Sequence, residues 1–397
     1  MDKFTHRQVI LHLLRVGEPV SRPQVAEALA VSLPTAGAIV KQLLVTKLLI
    51  ETGRTRSSGG RPAHLVHMNP DFAHAVGLTI SSWLIQAMVV NIAGQVVWEG
   101  PAITAGDSAD QVVDQAIGEV ARAMEAVSSP MVSGIGVGIS GVVDVENGLS
   151  RSFPQIRQWK DVPVGSLLNQ RFGLPVAVHN EVQAATLAEL HYGCGRTADD
   201  LLYLHVGKGI GLGLVSECRL IRGSRGHAGE IGHTVVDPRG PVCYCGNYGC
   251  LESLASPPAI VRDAIAAIRQ GVTSSIAADP NHLEQVGIEE VFAAAARVDR
   301  LACNLLTAAG EYIGGAVANV ANIFNPQTLV LGGVLAGGTP VLVDAITRVF
   351  SARLLPVLAE RTSIAVSEVR RQACGLGAAT AIFDRLLERA DLFGGVA

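Results

Sequence analysis

A set of four soft metal ligands within eighteen residues is the strongest chemical feature of this sequence. His233 is followed, after nine residues, by a segment that contains Cys243, Cys245 and Cys250. One imidazole and three thiolates form a Cys₃His set, which suits tetrahedral Zn²⁺. Because protein atoms would fill all four coordination positions of the metal and leave none for water, we predict a structural zinc site rather than a hydrolytic one. The alternative is a glycine-rich turn that holds reduced, unligated thiols.

The other four cysteines show no such spacing. They are scattered along the chain, and we interpret them as ordinary core residues: Cys194, Cys218, Cys303 and Cys374. The first ten residues carry charges instead of the apolar core of a signal peptide. Seven cysteines in a long chain of this kind indicate the reducing cytoplasm.

The elements that position these ligands must come from a large folded chain. Of the 397 residues, 49% are apolar and 17% are charged, which excludes a disordered protein. The length fits two or three domains. Two long stretches without charged residues, 72–98 and 312–343, are interrupted by Gly, Asn, Gln or Ser. We therefore predict buried strands and a core helix there, and no membrane segment.

The first seventy residues differ from the remainder in charge. They carry nine Lys and Arg against four Asp and Glu, whereas the remaining residues carry 22 against 31. The net charge of −4 therefore combines a basic segment with an acidic body. Phosphate neutralisation needs a basic face rather than a basic chain, so the overall charge does not exclude DNA as a partner.

The pattern of the same segment predicts three short helices and a hairpin. Helices are predicted over 4–14, from a cap at Ser21 through Leu29, and over 33–44 after a cap at Ser32. A basic, glycine-rich hairpin follows at 53–62. This order predicts a winged helix-turn-helix that binds double-stranded operator DNA. The alternative is a small helical docking domain with a solvated basic loop.

The predicted recognition helix is poor in side chains that read bases. Thr35 lies near its start among small residues, and Lys41 and Gln42 follow later. We expect Thr35 to allow close approach to the DNA, with Lys41 and Gln42 as polar contacts. Further discrimination would come from arginines of the hairpin that enter a narrow minor groove: Arg54, Arg56 and Arg61.

From residue 75 onward, strand-like and helix-like segments alternate, which predicts an α/β body of two lobes. Strands are predicted over 76–80, 87–91, 96–98, 134–139, 201–206, 212–215 and 328–331. Helices are predicted over 107–127, 302–324 and 375–387. We interpret the apolar helix over 302–324 as a core helix, the alternative being an exposed dimer seam.

The metal-ligand segment resembles the signature of the ROK family (repressors, open reading frames and sugar kinases), and the resemblance runs through essentially the whole chain. It is also carried by the glycine loop 134–144, by the segment from Trp159 to Glu181, and by the segment from Asn325 to Gly333. The resemblance implies the two-lobed, actin-like α/β fold of sugar kinases, preceded here by the winged helix-turn-helix. The implied domains are the DNA-binding domain at 1–70, a first lobe at 71–187 plus 378–397, and a second lobe at 188–377 with the zinc motif and the oligomerisation surface.

The resemblance also implies a sugar site. Family members hold a hexose-like sugar between the lobes, and the matching positions here are Asn180, Glu181, Glu230, His233 and Glu252. Carboxylates and amides suit vicinal hydroxyls because each exchanges several hydrogen bonds. His233 would bind zinc through one ring nitrogen and face a sugar hydroxyl with the other. The alternative for Glu230 and Glu252 is support of the zinc ligands.

An ATP-dependent ROK sugar kinase with an accessory DNA-binding arm is the alternative function. Kinases of the family have an Asp-Gly-Gly-Thr pattern after the first strand, where this chain has Thr79, Ser81, Ser82 and Trp83. Glu181 stands at the position of the kinase's Asp base. Phosphate cradling needs bare glycine backbone, so we predict no catalytic residue and no kinase activity.

The predicted function is therefore a sugar-responsive transcriptional regulator of carbohydrate metabolism genes. The resemblance favours a repressor that the sugar releases from DNA, and the alternatives are co-repression and activation. A homodimer or homotetramer would space two recognition units about 34–36 Å apart on a near-palindromic operator. A sugar or sugar-phosphate effector would change operator affinity, with a typical coupling of roughly 5–150-fold.

Overall fold

The computed structural model describes residues 10, 13, 17–54, 63–81, 83–127, 132–277, 282–337 and 340–387. Residue contacts divide the chain into two compact units, the first from Met1–Thr197 with Gln372–Ala397 and the second from Ala198–Arg371. The boundary predicted after residue 187 falls inside the helix Glu181–Tyr192, which lies wholly in the first unit.

From residue 17 onward, the described part of the N-terminal segment contains two short helices and a small antiparallel sheet. The helices are α1 (Arg22–Ala28) and α2 (Leu33–Val45), and the strands, in the order β1-β3-β2, are β1 (Val20–Ser21), β2 (Leu49–Arg54) and β3 (His64–Met68). The predicted caps are confirmed. The Ser21 N–H donates to Gln24 Oε1 at 2.8 Å, and the Thr35 N–H donates to the Ser32 hydroxyl at 3.3 Å. Of the helix predicted over 4–14, only Ile10 and Leu13 belong to the described residues, and both are buried.

A five-stranded sheet forms the centre of the first unit. Its strands, in the order β11-β7-β4-β5-β6, are β4 (His74–Ile80), β5 (Ile85–Asn91), β6 (Val96–Glu99), β7 (Val132–Ile139) and β11 (Val176–Asn180). The strands β4, β7 and β11 are parallel, β5 is antiparallel to β4, and β6 is antiparallel to β5. A separate small sheet holds β8 (Val142–Asp144), β9 (Leu149–Ser152) and β10 (Lys160–Val162).

The α-helices described in the body of the first unit are α3 (Ala109–Ala126), α4 (Val164–Phe172), α5 (Glu181–Tyr192) and α12 (Ala373–Leu387). The last of these returns from the far end of the chain to pack on β4, β7 and α5, as predicted. Glycines permit this close approach. A Cβ atom at Gly136 of β7 would overlap the carbonyl group of Ala378 in α12. The first lobe is therefore discontinuous in sequence.

The second unit has a sheet of the same design. Its order is β14-β13-β12-β15-β16, built from β12 (Leu201–Val206), β13 (Ile210–Ser216), β14 (Arg219–Leu220), β15 (Thr328–Gly333) and β16 (Ser363–Val366). As in the first unit, three consecutive strands are antiparallel and two later strands add in parallel. The helices of this unit are α6 (Leu251–Ala255), α7 (Pro257–Arg269), α8 (Ile288–Ala296), α9 (Arg300–Phe324), α10 (Pro340–Arg353) and α11 (Pro356–Ala359).

The long helix α9 is a core helix, as predicted. Its buried face runs from Ala302 to Ala321, and it packs closely on α10, because a Cβ at Gly314 would lie 2.6 Å from the carbonyl oxygen of Ile346. Among the described residues, no single helix is long and apolar enough to cross a membrane. Only the pair α1 and α2, taken together across a bend of 117°, passes such a test of length and hydropathy.

Candidate functional site

The four predicted metal ligands lie on one short turn and one folded loop of the second unit. His233 ends the helical turn Ile231–His233, and the loop that follows is closed where the Leu251 N–H donates to the Thr234 carbonyl at 2.9 Å. Inside the loop, the Cys243 N–H donates to the Asn247 carbonyl at 2.7 Å. These backbone hydrogen bonds bring the three cysteines back to the histidine.

The ligand atoms converge on one point. His233 Nδ1 lies 3.6 Å from Cys243 Sγ, and Cys245 Sγ lies 3.7 Å from Cys250 Sγ. All four ligand atoms lie within 4.8 Å of one another, so one metal ion could contact all of them. The sequence-predicted ligand set is thus brought together as a single cluster, which we call the Cys₃His cluster.

The environments of the three thiols differ. Cys243 and Cys250 are buried, whereas Cys245 is exposed. The backbone N–H of Asn247 lowers the pKa of Cys245 to about 7. Burial raises the pKa of Cys250 to about 12 and also raises that of Cys243. A bound cation would therefore have to displace the protons of the two buried thiols, so that metal affinity depends on pH.

One glycine of the loop is required by packing as well as by backbone conformation. Gly249 has φ +65°, and a Cβ there would overlap the carbonyl oxygen of Asp237. Gly246 has φ +92°, but no heavy atom lies within 4 Å of its Cβ position. Only Gly249 therefore combines left-handed backbone with a close approach of two chain segments.

The second ring nitrogen of His233 already has a neighbour. Its Nε2 lies 2.9 Å from the hydroxyl oxygen of Tyr244, and the two rings meet edge to face with their centroids 5.1 Å apart. The sequence predicts a sugar hydroxyl at this nitrogen, and Tyr244 is a neighbour that the prediction does not include. The position of Tyr244 between Cys243 and Cys245 is the sequence feature that could have indicated this contact.

Two carboxylates accompany the Cys₃His cluster. Glu252 lies in α6, and its Oε2 accepts the N–H of Ile210, the first residue of β13, at 3.0 Å. Loss of hydration raises the pKa of Glu252 and of Glu230, while the charge of His233 opposes this shift. The imidazole of His233 therefore interacts electrostatically with the carboxylates of both Glu230 and Glu252.

The predicted polar pair of the first unit lies at the carboxyl ends of parallel strands. Asn180 is paired with Ile139 of β7, which is paired in turn with Ile80 of β4. Ligands of open α/β sheets bind in the crevice outside such strand ends. Asn180 and Glu181 are therefore placed where this fold class binds ligands.

Each side chain of that pair has protein partners. The Asn180 amide donates to the Gly141 carbonyl at 2.8 Å, and its Oδ1 accepts the Val182 N–H at 2.8 Å as the cap of α5. The Ser140 hydroxyl donates to Glu181 Oε2 at 2.7 Å. These hydrogen bonds fix the orientation of both side chains.

The segment at the position of the kinase phosphate loop is a tight turn from β4 into β5. The Ser81 hydroxyl donates to the Leu84 carbonyl at 3.1 Å and accepts the Leu84 N–H at 3.2 Å. The backbone N–H of Ser81 also donates to the Leu84 carbonyl, at 2.9 Å. Trp83 lies at the tip and is half exposed, whereas Ser82 lies outside the described residues.

The candidate DNA contacts are only partly covered by the described residues. The Thr35 hydroxyl lies 2.7 Å from that of Ser32 in the cap of α2, and Lys41 is exposed later in the same helix, next to Gln42. Arg54 ends β2, opposite His64 of β3. The remaining two predicted contacts lie outside the described residues: Arg56 and Arg61.

Comparisons with known proteins agree with this architecture. The family model described as "ROK family" matches residues 75–385. The xylose repressor of Caldicellulosiruptor bescii is 27% identical over 388 residues, which cover 97% of both chains.

Two solved structures cover different shares of the chain. A ROK family transcriptional regulator, described as a homologue of the Escherichia coli MLC protein, has a TM-score of 0.79 and 28% identity over 99% of this chain and 100% of its own. A ROK family glucokinase from Streptomyces griseus, in complex with glucose and AMPPNP, has a TM-score of 0.70 and 27% identity over 78% of this chain and 99% of its own. The two α/β units thus have the fold of ROK sugar kinases, and the chain belongs to the ROK family.

Proposed function

We propose that this protein is a sugar-responsive DNA-binding repressor. The main support is the share of this chain that each of the two similar solved structures covers. The transcriptional regulator matches 99% of this chain, whereas the complete glucokinase matches 78% of it. The family model begins only at residue 75, after the helices and sheet of the N-terminal segment.

The N-terminal segment is the proposed winged helix-turn-helix. Two helices joined by a short turn, followed by the β2–β3 hairpin, support this assignment, as does the excess of Lys and Arg before residue 70. In this proposal α2 is the recognition helix, with contacts from Thr35, Lys41 and Gln42. Arg54, Arg56 and Arg61 contact the DNA from the hairpin.

The proposed metal is a structural Zn²⁺ held by His233, Cys243, Cys245 and Cys250. For Zn–S bonds of about 2.3 Å, tetrahedral geometry requires S···S separations of roughly 3.8 Å and slightly shorter N···S separations. The observed 3.7 Å and 3.6 Å fit this requirement. When bound, the metal supplies a crosslink for the loop, and four protein ligands leave no open position for water activation.

The proposed effector is a sugar or sugar-phosphate. In the second unit Glu230, His233 and Glu252 are the candidates to hydrogen-bond its hydroxyls, since two acidic groups lie near the imidazole of the Cys₃His cluster. Asn180 and Glu181 of the first unit are the further candidates. Effector binding lowers operator affinity only if the sugar binds more tightly to the conformation that has the weaker DNA affinity. The coupling free energy between two such ligands is typically ~1–3 kcal/mol. A homodimer or homotetramer would present two recognition helices to one operator.

The competing function is that of an ATP-dependent sugar kinase. The glucokinase likeness favours it, but the Ser81–Leu84 turn, with bulky Trp83 at its tip, offers no glycine backbone to phosphate. A coupled ADP-release assay over common hexoses and pentoses separates the two functions. The proposal expects no turnover above background, and sugar-dependent ADP release would contradict it.

The repressor function is tested by selecting DNA from a random-sequence duplex library with the full-length chain. The proposal expects enrichment of a near-palindromic site. A sugar and sugar-phosphate panel in a thermal-shift screen then identifies the effector, since a ligand of the native state raises its melting temperature. Failure to enrich any DNA would contradict the proposal.

A further inference from the structure

One carboxylate joins three elements of the N-terminal segment. Glu51 of β2 has its Oε1 3.1 Å from Arg22 Nη2, at the start of α1, and its Oε2 3.3 Å from Nδ1 of His64, at the start of β3. All three side chains are partly exposed, at 29% for Arg22, 42% for Glu51 and 41% for His64. A pair at this exposure is screened by water and exchanges partners easily.

The two groups that face Glu51 also line an open depression. This depression has a volume of about 510 Å³, and Arg22 and His64 form part of its wall. The rest of the wall is largely apolar and includes the first turns of α2, at Leu33, Pro34 and Gly37. A Cβ at Gly37 would meet no heavy atom within 4 Å, so the front of the recognition helix is open there.

We propose that Arg22 and His64 form a binding site for a DNA backbone phosphate, and that Glu51 is an internal competitor for that site. This inference rests on the proposed DNA-binding function. A guanidinium matches the geometry of phosphate oxygens with two parallel N–H groups, and an imidazole N–H can donate to an anion as well. Glu51 holds both groups beside the recognition helix in the free protein. DNA binding exchanges its carboxylate for a phosphate.

The arrangement has a specific energetic consequence. Glu51 places a negative charge within hydrogen-bonding distance of the groups that must receive phosphate, so it opposes binding of any DNA, whatever its sequence. Base contacts are unaffected, because phosphate contacts position the protein and carry no sequence information. Removal of the Glu51 charge should therefore strengthen operator and non-operator binding by the same factor.

The test measures DNA affinity of the full-length chain by fluorescence anisotropy, with the selected operator and a scrambled duplex, between 50 and 200 mM KCl. We expect Glu51→Gln to tighten binding to both duplexes by about three- to tenfold. Arg22→Ala should weaken both alike and reduce the slope of log Kd against log[KCl] by about one. When Arg22→Ala is already present, Glu51→Gln should increase DNA affinity by only a fraction of the factor seen in the otherwise unmodified chain, because the two residues share one interaction.

Glu27→Gln is the matched control, since it removes the same charge from an exposed position of α1. Glu51→Thr is a second neutral variant that suits a strand, and it should reproduce the gain if Glu51→Gln does not fold. A gain no larger than that of Glu27→Gln, or a gain that persists in full without Arg22, would overturn the inference while leaving the repressor function intact. If the unmodified chain binds no duplex, the proposed function itself fails.

Discussion

Nε2 of His233 lies 2.9 Å from the hydroxyl oxygen of Tyr244, while Nδ1 of the same ring lies 3.6 Å from Cys243 Sγ. The imidazole is therefore held at both nitrogens by residues of one loop. A metal on Nδ1 would leave the proton on Nε2, which would then donate to Tyr244. A sugar hydroxyl that binds His233 has to compete with this internal hydrogen bond.

Removal of the Tyr244 hydroxyl should therefore strengthen effector binding. An exposed neutral hydrogen bond contributes about 0.5–1.5 kcal/mol, so Tyr244→Phe is expected to tighten effector affinity by roughly 2- to 13-fold. The phenyl ring keeps the edge-to-face contact, so the metal content should stay unchanged. Isothermal titration with the effector and metal analysis of the same sample test both points. Weaker binding by the variant would show instead that the Tyr244 hydroxyl contacts the sugar.

The two glycines of the metal loop should respond very differently to alanine. Gly249→Ala adds a Cβ that overlaps the Asp237 carbonyl, so we expect loss of the bound metal and destabilisation by several kcal/mol. Gly246→Ala has open space at the same kind of backbone conformation and should cost only about 1 kcal/mol. Chemical denaturation with metal analysis distinguishes them. Equal effects of the two substitutions would contradict the packing of the loop described here.

Loss of one buried thiol should remove the metal, whereas loss of a thiol outside the cluster should not. Cys250→Ser is expected to abolish stoichiometric zinc and to lower the melting temperature. Cys303→Ser is the control, because Cys303 lies in α9, where its Sγ contacts the Ala295 carbonyl at 3.8 Å. Chelation should lower the melting temperature of the control and of the unmodified chain, but not that of Cys250→Ser. Full zinc content in Cys250→Ser would remove this residue from the ligand set.

Local patterns predicted the elements well. The strand Leu201–Val206 has the predicted bounds, and the four metal ligands converge, because apolar runs and ligand spacing are properties of short segments. Side-chain contacts that depend on strand register or on the folding of a loop were not predicted. Arg22 and His64 meet at Glu51 through the pairing of β3 with both β1 and β2. The Asn247 hydrogen bond and the burial that separate the pKa of Cys245 from that of Cys250 depend on the folded loop. Neither follows from residue types along the chain.

In the proposed function, one chain binds DNA and releases it in response to a sugar. The most direct measurement is fluorescence anisotropy of the selected operator with the full-length protein, titrated with the effector, for the unmodified chain and for Glu252→Gln. The amide oxygen of the variant can still accept the Ile210 N–H, so folding and DNA affinity should be retained. We predict that the sugar raises the operator Kd of the unmodified chain at least about fivefold and leaves that of Glu252→Gln nearly unchanged. An operator affinity of the unmodified chain that stays constant at saturating sugar would contradict the account.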